Sequence, residues 1–142
     1  MSAEHIPIIK MDEFLLVTIQ EGIHDRLAIT LQEELTAKVA STGARGVLLD
    51  ISGLDMVDSF LGRLLSTIAS ITRIMDAETV VVGMQPAIAI TLVEMGLSMP
   101  GVLTALNVDK GMTLLRRRLS QAKEVTCVPD IKAIHDGSSD RG

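Results

Sequence analysis

Two short apolar runs that do not alternate constrain the fold of this chain more than anything else in it. Gly46-Val47-Leu48-Leu49-Asp50-Ile51 and Thr79-Val80-Val81-Val82-Gly83 lack the in-out rhythm of a strand with one wet face. Each therefore predicts a strand buried on both faces of a parallel sheet. Segments of helical period surround them. Leu27, Leu31, Leu35 and Val39 recur every four residues between an expected N-cap at Asp25 and a stop at Gly43, which places an amphipathic helix there with these four facing the sheet. Glu34 and Lys38 form a minor i,i+4 pair on its outer side. Phe60, Leu61, Leu64, Leu65, Ile68 and Ile71 mark a second helix that ends near Met75.

Pro86 suits the first position of a third helix, where its missing N–H costs nothing. Ile88, Leu92 and Met95 give that helix its apolar side, and Gly96 closes it. Asp109 is the expected cap of a fourth, in which Met112, Leu115 and Leu119 share a face while Arg116, Arg117 and Arg118 extend mostly outward. At the front, Ile6-Pro7-Ile8-Ile9 and the run from Phe14 to Ile19 flank a tight connection at Met11-Asp12-Glu13, the pattern of an antiparallel hairpin. Pro7 cannot donate to a ladder, so the first strand belongs at an edge. With a last strand over 102–106, the order is β-β-α-β-α-β-α-β-α. This is an α/β sandwich on a mixed sheet, antiparallel in its N-terminal hairpin and parallel elsewhere, with about four helices. After Gln121 the pattern fades. Residues 125–128 suggest a local pairing, and Pro129 with the Gly137-Ser138-Ser139 end reads as flexible. One domain over 1–120 and a tail over 121–142 are expected.

Composition narrows the function. Hydrophobic residues make up 47% of the 142, yet Trp and Tyr are absent and Phe14 and Phe60 are the two phenylalanines, so the core must be aliphatic. Without aromatic platforms, and with a net charge of −5, nucleic acid is an unsuited partner. Cys127 alone allows neither an intramolecular disulfide nor a multi-cysteine metal site. His5, His24 and His135 lack ligand spacing and read as surface histidines. There is no phosphate loop, no dinucleotide fingerprint and no nucleophile elbow, so no cofactor is expected. No basic segment followed by an apolar stretch opens the chain, and its apolar runs fall short of the roughly 20 residues of a membrane span. A cytoplasmic protein without membrane or metal is the expectation.

One loop concentrates signal: Asp50-Ile51-Ser52-Gly53-Leu54-Asp55-Met56-Val57-Asp58-Ser59-Phe60. It leads from a buried strand to a helix start, where α/β proteins place their function. Ser59 falls where helix N–H groups lack partners and the macrodipole is positive, so a phosphate there would meet donors and, at the same time, the carboxylates of Asp55 and Asp58. Two other readings stay open. Asp58-Ser59 could be an ordinary N-cap, and the acidic loop could hold Mg²⁺, although three dispersed carboxylates fix no coordination geometry. A serine nucleophile would need a base and an oxyanion loop that the sequence does not offer.

The chain resembles the STAS family of anti-sigma-factor antagonists, and within it the RsbS-type scaffolds of the bacterial stressosome. The resemblance runs from Ile6 to Leu119. It is carried by Ile6-Pro7-Ile8, Leu15-Leu16-Val17-Thr18-Ile19-Gln20, Leu31-Gln32-Glu33-Glu34-Leu35, Thr42-Gly43-Ala44, Asp55-Met56-Val57-Asp58-Ser59-Phe60, Gln85-Pro86-Ala87 and Thr91-Leu92. It implies a mixed sheet with helices mostly on one side and a non-enzymatic regulatory role. It also implies that Ser59 is phosphorylated by an RsbT-like serine kinase; Asp55, Asp58 and Phe60 are candidates for kinase recognition by their adjacency to Ser59. The implied partners are that kinase, RsbR-like STAS proteins in a large homo- and hetero-oligomeric assembly, and a PP2C-like phosphatase that resets the site. Two alternatives remain: a free anti-sigma-factor antagonist acting as monomer or dimer, and, more distantly, a small serine-nucleophile enzyme.

Overall fold

The computed structural model describes residues 6–94 and 102–127. Its elements are β1 (Ile8–Met11), β2 (Phe14–Thr18), α1 (Asp25–Thr42), β3 (Gly46–Asp50), α2 (Ser59–Ile74), β4 (Glu78–Val82), α3 (Pro86–Glu94), β5 (Val102–Ala105) and α4 (Val108–Cys127). The strands form one sheet in the order β1-β2-β3-β4-β5. β1 and β2 pair antiparallel, and the remaining pairs are parallel. The expected mixed sheet and four helices are both present.

Because each crossover steps to the next strand in the same direction, the right-handed rule sends α1, α2 and α3 to one face. The period of two then explains the unbroken apolar runs. Val47, Leu49 and Val81 belong to the core under α1–α3, whereas Leu48, Val80 and Val82 meet Met112 and Leu115 of α4 on the other face. Gly111 lets α4 settle that closely: a Cβ there would lie 2.6 Å from the Leu48 side chain and 2.8 Å from that of Val82. β1 lies at the sheet edge, as Pro7 requires, but the strand begins at Ile8 after the proline.

Three details differ from expectation. The buried stripe of α1 is Ala28, Leu31, Leu35 and Val39, and Leu27 is half-buried at its margin. A spacing of four drifts against 3.6 residues per turn, so Leu27 is rotated by about 120° from Val39. The caps of two helices lie upstream of the acidic residues expected to supply them. His24 caps α1, its Nδ1 accepting from the Leu27 N–H at 3.3 Å, and Asn107 Oδ1 accepts from the Lys110 N–H at 2.9 Å at the head of α4. Asp25 and Asp109 sit in the first turns instead, where a carboxylate still complements the dipole. Finally, α4 continues to Cys127. Residues 125–127 are therefore helical, not part of a local strand pairing, and the boundary drawn at residue 120 falls inside a helix. Met95, Gly96, His5, His135 and the chain beyond Cys127 lie outside the described residues.

Candidate functional site

The loop between β3 and α2 leaves the sheet at the carboxyl ends of its parallel strands. Ile51 keeps the ladder going for one more residue, its N–H donating to the Val82 carbonyl at 3.0 Å. Beyond it the loop is held from inside by three buried apolar side chains, Ile51, Leu54 and Val57, and from outside by polar contacts. Asp50 Oδ1 accepts from the Ser52 N–H at 2.9 Å, and Gln85 Nε2 donates to the Ser52 carbonyl at 3.2 Å. Glu21 Oε2 accepts from the Asp55 N–H at 2.9 Å. Beneath the loop, Gly83 takes a left-handed φ of 76°, and a Cβ on it would lie 2.7 Å from the Ser52 Cβ. Only glycine fits that position without strain.

The helix start is set by Asp58. Its backbone is extended, its Oδ1 accepts from the Leu61 N–H at 2.9 Å, and its carbonyl takes the Gly62 N–H at 3.0 Å. Ser59 is thus the first residue of α2, and the cap is its neighbour Asp58. Ser59, Asp55 and Asp58 are exposed, and Phe60 is half-buried against the core. The structure brings all four sequence-derived residues to one end of the molecule. Ser52 lies in the same loop, whereas Ser66 is well inside α2.

Beside Ser59 runs a groove of about 260 Å³. Glu21, Gly22 and Ile23, from the segment after β2, line one part of it, and Met56, Asp58 and Phe60 line another. Met56 is 73% exposed, a large apolar side chain held out in water at the groove. Glu21, Gly83 and Gln85 were not legible as site residues. Glu21 meets Asp55 across 34 positions, and no local pattern announces such a pair. Gln85-Pro86 reads as a helix start and Gly83 as the end of a strand. Among the described residues, no group of three or more His, Cys, Asp or Glu could hold a metal ion. Among them, too, no helix is long and apolar enough to cross a membrane.

The STAS-domain family model matches residues 5–110. A Ser-to-Glu variant of RsbS from Moorella thermoacetica is 37% identical, with a TM-score of 0.72, over 81% of this chain and 97% of that one. A chain in a structure described as the molecular architecture of the stressosome, a signal integration and transduction hub, is 40% identical, with a TM-score of 0.72, over 80% of this chain and 98% of that one. The RsbT co-antagonist protein RsbRA of Bacillus subtilis (strain 168) is 26% identical over 112 residues, which span 79% of this chain but 40% of RsbRA.

Proposed function

We propose that this chain, which belongs to the STAS-domain family, is a non-enzymatic scaffold of the RsbS type whose Ser59 is the acceptor of a regulatory phosphate. In this reading it assembles with RsbR-like STAS proteins into a stressosome and holds an RsbT-like serine kinase. Phosphorylation of Ser59 releases the kinase, and a PP2C-like phosphatase restores the site. The observation that carries the reading is the placement of Ser59. It is exposed at the first position of α2, one residue past an aspartate cap, at the end of a loop pinned by hydrogen bonds at Ser52 and Asp55. A kinase needs its acceptor hydroxyl accessible and in a defined position.

The similarity to an RsbS and to a stressosome chain over nearly their whole lengths supports the scaffold role. The similarity to RsbRA, a protein named for RsbT, supports both the kinase type and a STAS partner. Replacing a serine by glutamate, as in the Moorella variant, supplies part of the charge that a phosphate would bring.

The test is to incubate the full chain with a purified RsbT-type kinase and ATP and to locate the phosphate by mass spectrometry. Modification of Ser59 that disappears in Ser59→Ala is the expected result. Phosphate mostly on Ser52 or Ser66, or on no residue, would overturn the assignment. Gel filtration with an RsbR-type partner reads the assembly: a megadalton-scale particle marks a scaffold, and a monomer or dimer marks a free antagonist.

A further inference from the structure

We infer that Glu21 is a positioning residue for the phosphate acceptor, a latch that holds the loop before Ser59 in the shape the kinase reads; this rests on the assignment of Ser59 given above. The loop's apolar anchors leave a gap. Leu54 and Val57 are buried, but Asp55 and Met56 between them are exposed. At that gap the Asp55 N–H donates to Glu21 Oε2 at 2.9 Å, a contact four positions ahead of the acceptor serine.

The segment that carries Glu21 is anchored to the sheet. Ile19, two residues earlier, is fully buried, and its N–H donates to the Asp50 carbonyl at 2.9 Å. Gly22, the next residue, has a φ of 90°, a left-handed turn that L-residues rarely adopt. The chain therefore reverses just after Glu21, and its carboxylate reaches across to the neighbouring loop. Glu21 also lines the groove with Asp58 and Phe60, so a partner seated there would touch the latch and the acceptor helix together.

A purely structural role would be small. Both residues are exposed, and an exposed polar contact adds little to global stability. Its effect is local: it limits how often the 54–57 stretch opens.

Two variants of the full chain test this, Glu21→Ala and Glu21→Gln, since the glutamine amide oxygen can still accept the Asp55 N–H. Amide exchange at Asp55 and phosphorylation of Ser59 by a purified RsbT-type kinase are measured on each, beside a thermal melt. In Glu21→Ala the Asp55 amide should exchange about tenfold faster. Phosphorylation should slow about tenfold, with an unchanged melt. Glu21→Gln should recover most of both. Unchanged exchange, faster exchange without slower phosphorylation, or equal losses in both variants would each overturn the latch. Absence of phosphate on Ser59 in the wild type would overturn the functional reading, and the positioning role with it. A normally modified wild type with unaffected variants would overturn the latch alone.

Discussion

Asp58 Oδ1 accepts the Leu61 N–H at 2.9 Å, and so occupies the third donor of the α2 amino terminus with a carboxylate that adjoins Ser59. A phosphate on Ser59 would have to share this terminus with a negative group already in place. The site has a donor end favouring anions and a resident anion opposing a second one, and two substitutions separate these effects.

Asp58→Ala removes both cap and charge. Losing an N-cap costs about 1 kcal/mol, within a range of roughly 0.5–2, so the urea midpoint should fall accordingly. Asp58→Asn keeps an acceptor oxygen and discards the charge, and its stability should stay within about 0.5 kcal/mol of wild type. A comparable loss in the two variants would mean that charge against the helix dipole, and not the hydrogen bond, holds the terminus.

Gly83 should tolerate no side chain. Alanine there meets a left-handed backbone and a Cβ contact of 2.7 Å with Ser52, and a residue held in such a conformation costs roughly 1–3 kcal/mol. Gly83→Ala is expected to destabilise the domain by that amount and to raise amide exchange across 51–55. A chemical denaturation curve that overlays the wild type would refute the close packing of Gly83 under the loop.

Leu31 and Leu27 provide a comparison inside one helix. Leu31 is fully buried, and Leu27 is half-buried at the margin of the same stripe. Leu31→Ala should cost about 2–5 kcal/mol, the range for truncating a core leucine. Leu27→Ala should cost less, because part of its surface already faces water and the hydrophobic term scales with the area removed from it. Equal losses in urea denaturation would contradict the rotation of α1.

These contrasts show why some features were legible in the sequence and others were not. The two-sided burial of Val47, Leu48, Val80 and Val81 could be read directly, because covering both faces of a strand removes the need for polar residues along it. Ser59 could be placed at a helix start because the switch from a loop rich in Asp and Gly to leucine periodicity is local. The orientation of Leu27 could not, since a four-residue spacing does not distinguish the centre of a stripe from its edge. The caps at His24 and Asn107 were missed because an acidic residue nearby is an equally good candidate until backbone geometry selects one. Glu21, Gln85 and Gly83 meet the loop through contacts between distant segments. Such contacts exist only once β2, β3 and β4 lie side by side.

Phosphorylation of Ser59 is expected to act through charge at the head of α2. A helix amino terminus carries roughly half a positive charge, whereas a phosphoserine brings about −1.5 to −2. With the Leu61 N–H already taken by Asp58, the terminus cannot neutralise that group. Arg63 is exposed and four residues along α2, the spacing at which helical side chains meet, and it can offset part of the charge that remains. The fold should therefore survive phosphorylation while the groove edge near Asp55 and Asp58 becomes strongly acidic. If a kinase docks against uncharged Ser59, as proposed, it should then lose contact through like-charge repulsion. Ser59→Ala should keep the kinase bound and block release. Ser59→Asp, with a single charge, should weaken binding less than phosphate does, and Arg63→Ala should deepen the loss for the phosphorylated chain. Calorimetric titration of the kinase into each form, with thermal melts of the same samples, gives the comparison. Equal affinity for wild type, Ser59→Asp and phosphorylated chain would leave Ser59 a modified residue without a switch.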